Sequence, residues 1–298
     1  MVHDHVKNGA PSIHAGTRIG AVTLRVSDLA RSCAFYQETL GLLPGGGEKG
    51  HAILSARDRV PLLVLQEIPG ARHAARAAGL YHFAVLLPSR ADLGRALKRL
   101  VDTGTRFGQS DHLVSEALYL SDPDGNGIEL YRDRPRSQWT WHGGMVEMAV
   151  DPLDLESLLE EGQRGAPTET GAPAGTRIGH LHLQVSDVEQ AVRFYHGLIG
   201  FDITASFQGA AFVSAGGYHH HLGLNSWSSR GAPPAPADSS GLASFAIEVP
   251  GQEERDRVLA RLKAAGVAVE GEGARMVVRD PWNIAVELIA GPGEPALR

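Results

Sequence analysis

Apolar and polar residues alternate from Ile19 to Val26, placing Ala21, Thr23 and Arg25 on one face of an extended segment and Val22, Leu24 and Val26 on the other. This period of two predicts a strand. Directly afterwards the period becomes 3.6: Leu29, Cys33 and Tyr36 share one stripe behind Asp28, whose side chain suits a helix N-cap. The same succession returns further along. RIGAVTLRVSD at Arg18 to Asp28 recurs as RIGHLHLQVSD at Arg177 to Asp187, followed at matched distances by Phe35-Tyr36 or Phe194-Tyr195 and by Gly41 or Gly200. Behind Asp187 the stripe is Val188, Val192 and Tyr195. A second pair, GLYHFAVLLP at Gly79 to Pro88 and GLASFAIEVP at Gly241 to Pro250, leads into the helical runs ALKRLVDTGT and VLARLKAAGV.

These matches divide the chain into two halves of two modules, at about 18–68, 79–132, 177–227 and 241–290, each a strand, a helix and several short strands. The expected organisation is a polar tail at 1–17, a first half at 18–132, a linker at 133–176, a second half at 177–290 and a tail at 291–298. The linker combines an acidic helical stretch, Leu153 to Gln163, with a Gly/Pro-rich run. Ser228 to Ser240, with Pro233, Pro234 and Pro236, reads as a loop or lid.

Composition narrows the function. Among 298 residues, 43% are hydrophobic and 21% charged, an ordinary globular mix. Lys plus Arg number 28 against 34 Asp plus Glu, so the net charge of −6 argues against a nucleic-acid partner. No run reaches the roughly 18 apolar residues of a membrane span, and Met1 to Gly16 is polar, unlike a secretion signal. A cytoplasmic protein without a membrane partner is expected. Cys33 is the single cysteine, so any metal must be held by some of the 14 His and by carboxylates.

Two places invite that chemistry. His82 lies within the apolar run Leu80 to Leu87, where an unpaired imidazole is costly to desolvate. Asp122-Pro123-Asp124-Gly125-Asn126 makes a tight turn into a strand whose alternation puts Gly127 and Glu129 on one face. The plain alternatives are a core His bonded to a carbonyl and a Glu on an exposed strand. His180 and His182 share one face of their strand, so one of them must serve another purpose.

The doubled and redoubled module resembles the vicinal oxygen chelate superfamily, which includes glyoxalase I, methylmalonyl-CoA epimerase, antibiotic-resistance proteins and extradiol ring-cleaving dioxygenases. The resemblance covers nearly the whole chain. It implies an α+β fold of four tandem βαβββ modules paired into two cup-shaped mixed sheets, with metal ligands from the first and last strands of paired modules. First-strand positions hold Ala21, His82, His180 and Ser244; last-strand positions hold Gln66, Glu129, Asn225 (with His221 nearby) and Glu287. If consecutive modules pair, one cup offers Gln66, His82 and Glu129, and the other His180, Glu287 and an Asn or His. If the second pairs with the third, His82, His180 and Glu129 converge, and Ala21, Gln66, Ser244 and Glu287 form a degenerate outer pair. The latter is the leading expectation.

His112, Tyr119, the D-P-x-G turn and Glu129 are similar in spacing to the extradiol dioxygenase signature, with Ser110 as the departure. GLYHFAVLLP, DHLVSEALYLSDPDGNGIELYRDRPRSQW and FVSAGGYHHHLGLNSW resemble bacterial catechol-2,3-dioxygenases of the short CatE type. That resemblance implies Fe(II), with Mn(II), Zn or Ni as alternatives, held by His82, Glu129 and His180, and a small aromatic diol and O₂ as partners. His112 and the run Tyr218-His219-His220-His221 are then candidates for the base, and Tyr119 for a hydrogen-bond donor to the diol. On a strand, His219 and His221 would face one side and His220 the other. Two rivals stand beside this reading. One is a four-ligand glyoxalase or epimerase working through an enediolate, for which Gln66 or Glu287 would supply the fourth ligand. The other is a metal-free protein binding an antibiotic or hydrophobic ligand. A homo-oligomer is compatible with each.

Overall fold

The computed structural model of the chain describes residues 11–164 and 170–291, so residues 1–10 of the expected tail at 1–17, residues 292–298 of that at 291–298 and the linker residues 165–169 lie outside the described residues. Each module folds as its pattern requires. The first consists of β1 (Arg18–Val26), α1 (Leu29–Leu40), β2 (Leu43–Gly46), β3 (His51–Ser55) and β4 (Pro61–Glu67). The second has β5 (Gly79–Leu86), α2 (Arg90–Asp102), β6 (Gly108–Asp111), β7 (Ser115–Ser121) and β8 (Gly127–Asp133). The connection carries a small hairpin, β9 (Trp141–His142) with β10 (Met145–Val146), and α3 (Leu155–Gln163). The third module follows with β11 (Arg177–Gln184), α4 (Val188–Phe194), β12 (Asp202–Phe207), β13 (Ala210–Ser214) and β14 (Leu222–Asn225). Last come β15 (Gly241–Pro250), α5 (Gly251–Ala264), β16 (Val269–Glu272), β17 (Arg275–Arg279) and β18 (Ala285–Gly291).

The repeated caps do what their chemistry allows. Asp28 accepts from the Arg31 N–H at 2.9 Å and Asp187 from the Gln190 N–H at 2.9 Å, satisfying orphan donors at the two helix starts. The connection's helix begins two residues later than its periodicity suggests, because Asp154 caps it through the Ser157 N–H. α3 then lies against α2 where two glycines meet. A Cβ on Gly162 would stand 2.5 Å from the Gly94 carbonyl carbon.

The sheets cross the halves. One runs β2-β3-β4-β1-β15-β18-β17-β16 and the other β6-β7-β8-β5-β11-β14-β13-β12, so the first module pairs with the fourth and the second with the third. In the second sheet, β5 runs antiparallel to β11 with His182 opposite His82 and His180 opposite Ala84. Alongside, β8 runs parallel to β5, setting Gly127 beside His82 and Glu129 beside Ala84. The position that faces the ligand slot therefore lies two residues beyond it on the first strand, and this corrects two expected slots. Val64 sits opposite Thr23 and Gly223 opposite His182, in the place Glu129 occupies, whereas Gln66 pairs with Arg25 and Asn225 with Gln184. Glu287, opposite Ala246, keeps its slot.

One apolar core runs through both sheets, including Leu24, Leu65, Phe83, Leu130, Leu183, Phe201, Phe245 and Leu288. Buried polar pairs stitch the sheets at equivalent points. The Tyr36 hydroxyl in α1 donates to Asp122 at 2.8 Å, and the Tyr195 hydroxyl donates to Asp280 at 3.0 Å. No described helix is long and apolar enough to cross a membrane.

Candidate metal centre and its cavity

The strand register assembles the centre as two adjacent rows across the sheet. One row runs Gly127, His82, His182, Gly223; the next runs Glu129, Ala84, His180. Paired residues on neighbouring strands project to the same side, so the small members of each row leave room for the large ones. A Cβ at Gly223 would stand 2.5 Å from the His182 ring.

Glu129 is the hub. Its Oε2 lies 3.0 Å from His180 Nε2 and 2.9 Å from His82 Nε2, and all three side chains are buried. His82 Nε2 nevertheless makes no hydrogen bond, and His180 Nδ1 and His182 Nδ1 are buried without partners as well. An unsatisfied buried nitrogen beside a carboxylate oxygen, as His82 Nε2 is, is expensive unless a cation completes the pair. Two donors about 2.1 Å from one ion and at right angles stand about 3.0 Å apart, which matches both separations. Nitrogens of His82, His180 and His182 also fall within 4.8 Å of one another. Protonation states agree. Burial alone would raise Glu129, but the His180 and His82 imidazoles outweigh it and hold the carboxylate well below its ordinary range. Burial, against the pull of Glu129, lowers His180 to about 4, so its imidazole is neutral near pH 7. The donor set fits a divalent metal ion.

His82 and Glu129 line a cavity of about 860 Å³ together with residues that include His112, Tyr119, His182 and His220, whereas His180 is buried and does not line it. His112 Nδ1 lies 2.7 Å from the Ala149 carbonyl, which can only accept, so Nδ1 carries the proton and Nε2 accepts the Tyr119 hydroxyl at 2.6 Å. Burial and then Glu129 raise the Tyr119 pKa well above its ordinary value, keeping the phenol protonated.

The triple-His run behaves differently from the strand expectation. It is a bend before β14, which begins only at Leu222, so alternation does not govern its side chains. His220 alone of the three lines the cavity, where its Nε2 meets His182 Nε2 at 2.9 Å. His219 is buried behind it, with Nδ1 2.8 Å from His220 Nδ1 and Nε2 2.9 Å from Asp133 Oδ1. Starting from the accepting carboxylate, neutral rings have a single consistent assignment: His219 donates to Asp133, His220 to His219, and His182 to His220. His221 faces a separate small pocket, and its Nδ1 accepts from Ser214 Oγ and the Ala215 N–H. Neither His219 nor His221 reaches the cavity.

Sequence reasoning left His182 without a role and drew no aromatic wall. The wall gathers Tyr81 from β5, Phe207 from β12, Phe212 from β13 and Trp227 after β14, together with Met148 to Val150 from the connection between the halves. Those contributors are far apart in sequence, and the exposed state of several is the only local signal. The proline-rich loop Ser228 to Ser240 is not on this wall; the Ala78 N–H donates to the Pro233 carbonyl and the Ser240 N–H to the Arg72 carbonyl, tying it elsewhere.

The outer sheet shows the same carboxylate slot put to another use. Glu287 Oε1 accepts from the Ser244 hydroxyl at 2.5 Å and pairs with Arg275. A guanidinium and a hydroxyl replace the imidazoles.

Comparison with known proteins matches residues 18–130 and 177–288 to the Glyoxalase/Bleomycin resistance protein/Dioxygenase superfamily. The chain is 47% identical over 275 residues to a protein of Bacillus subtilis (strain 168) named catechol-2,3-dioxygenase, spanning 91% of this chain and 96% of the relative. A shorter match, 29% over 118 residues, is to glutathione transferase FosA of Serratia marcescens, covering 38% of this chain and 80% of that protein. Among solved structures, glyoxalase I from Zea mays superposes with a TM-score of 0.54 at 16% identity, covering 92% of each chain. A Bacillus subtilis structure reaches a TM-score of 0.63 at 14% identity over 96% of this chain and 87% of its own.

Proposed function

The chain belongs to the glyoxalase/bleomycin resistance protein/dioxygenase superfamily, and from that premise we propose that it is an extradiol dioxygenase, opening an aromatic diol with O₂ at a centre of His82, Glu129 and His180. One observation carries the choice within the superfamily. The slot from which the second carboxylate of a four-ligand, glyoxalase-type site would project is Gly223, and the adjoining space holds the His182 ring, whose Nε2 is engaged by His220. Gln66 and Glu287, the residues that reading needed, stand in the other sheet, with Glu287 engaged by Arg275 and Ser244. The name of the 47% identical relative supports the same choice.

Two imidazoles and one carboxylate leave the remaining positions of a metal open, which suits Fe(II) above Mn(II), Zn or Ni; when bound, the ion supplies Lewis acidity to the diol oxygens and electron exchange with O₂. The protein's own groups handle the proton. Tyr119 can take one proton from the diol as its own hydroxyl proton passes to His112 Nε2, leaving the diol as a monoanion and an imidazolium still anchored on the Ala149 carbonyl. His220, held by His219 and Asp133, orients His182 beside the centre.

The test is anaerobic loading with Fe(II), then oxygen uptake on catechol. Equimolar consumption of O₂ and a yellow ring-opened product are expected, with Tyr119→Phe lowering kcat about 100-fold and leaving KM nearly unchanged. Absence of oxygen uptake, together with metal-dependent isomerisation of a hemithioacetal, would replace this reading with the glyoxalase one.

A further inference from the structure

We propose that the diol carries a bulky, uncharged, apolar substituent, bound by an exposed rim of Tyr81, Val150, Phe207 and Trp227; the proposal deepens the dioxygenase reading and rests on it. These four are 42%, 83%, 51% and 54% exposed, and they line the same cavity as His82 and Glu129 although β5, the connection, β12 and the segment after β14 supply them separately. Scattered exposed hydrophobic residues need no explanation, but their convergence on one concave site marks a surface that a ligand covers. The rings are set edge to face, Tyr81 on Trp227 at 5.7 Å and Phe207 on Phe212 at 5.6 Å, so the rim is a braced wall. It begins beside the centre: Tyr81 precedes His82, and Phe212 lies 5.3 Å from His182.

Charge and size point the same way. Among the described residues no Lys or Arg lines the cavity, so a carboxylated substituent would be desolvated there without a cationic side chain to pair with. Arg25, Arg76 and Arg279 line instead an adjoining cavity of about 330 Å³, on the far side of the shared residues His73, Leu80 and Gln184. A bare benzenediol would leave most of the 860 Å³ to water against aromatic walls.

Anaerobic calorimetric titration of the Fe(II)-loaded protein with catechol, 3-phenylcatechol and 3,4-dihydroxyphenylacetate tests this without turnover, because O₂ is withheld. The phenyl compound is expected to bind at least about tenfold more tightly than either other probe, and Trp227→Ala or Phe207→Ala to weaken it about tenfold while leaving catechol unchanged. Equal or tighter binding of the acid, an equal loss for all probes, or no change in the variants would overturn the proposal. So would a concentration-dependent dimer abolished by Trp227→Ala, because the rim would then serve a second copy of the chain. Oxygen uptake of the Fe(II)-loaded protein on catechol separates the two ideas. Preferred phenyl binding with no ring cleavage sinks only the dioxygenase reading, and cleavage with preferred acid sinks only this one.

Discussion

Glu129 and Glu287 occupy the same slot of the same repeated module, yet their neighbours give them different chemistry. Around Glu129 stand neutral-capable imidazoles with unpaired nitrogens; around Glu287 stand a guanidinium and a hydroxyl that already satisfy it. Metal binding should follow the first set alone. His82→Ala, His180→Ala and Glu129→Gln are each expected to lose bound metal after desalting, by elemental analysis, whereas Glu287→Gln should retain it. Retention by His82→Ala with loss in Glu287→Gln would move the centre to the outer sheet. That His82, Glu129 and His180 meet could be anticipated, His82 because burying an imidazole in an apolar run is costly, Glu129 because a turn fixes the phase of the strand after it, and His180 from its equivalent place in the repeat. Gln66 and Asn225 were misplaced for a definite reason. A slot is set by parallel register, two residues along, and register is a property of two strands that neither strand's own pattern contains. The His219 to His221 run failed similarly, since a bend has no alternation to read.

Within elements, local sequence was a good guide; between them it was not. Asp28 and Asp187 mark helix starts by their own chemistry, and the amphipathic stripes of α1 and α4 are buried much as their spacing requires. The packing of α3 on α2 shows the limit. By helix propensity alone Gly94 and Gly162 look like weaknesses, and replacing Gly162 by Ala should stabilise an isolated helix by up to about 1 kcal/mol. The close crossing predicts the opposite sign. A Cβ at Gly162 would press on the Gly94 backbone and one at Gly94 on the Leu158 carbonyl, so Gly162→Ala and Gly94→Ala should each cost about 1–3 kcal/mol in urea unfolding. Gly197→Ala, where a Cβ meets nothing within 4 Å, is the control and should be neutral or mildly stabilising. The same connection brings Met148 to Val150 to the cavity wall. A linker's role as wall depends on where the helix after it docks, which composition does not encode.

At the scale of the molecule, crossing the halves concentrates imidazoles in one sheet and sets the pH range in which the fold is stable. Burial lowers His180 to about 4 and His221 to about 3, and lowers His182 and His220 well below their ordinary value. All four are neutral in the folded state, while in the unfolded chain each gains a proton near pH 6.5. Their contribution to stability is complete above that pH and is lost as pH falls from about 6.5 toward the folded values, by at most ~1.4 kcal/mol per pH unit per group. Asp280 acts with the opposite sign. Burial raises it to about 6, so the stability it contributes is present at low pH and is lost as pH rises through 6. Burial raises Asp122 and Asp202 in the same direction, but three carboxyls do not offset four imidazoles, and the metal-free protein should lose urea resistance steadily between pH 6.5 and 5. His221, remote from the cavity wall, isolates the effect. Because its Nδ1 accepts two hydrogen bonds, protonation would break both, and His221→Gln should start less stable at pH 7 but show a slope shallower by about one proton. A parallel loss in wild type and variant across that range would mean that acid acts elsewhere, with the Tyr36–Asp122 and Tyr195–Asp280 stitches between the sheets as the next place to look.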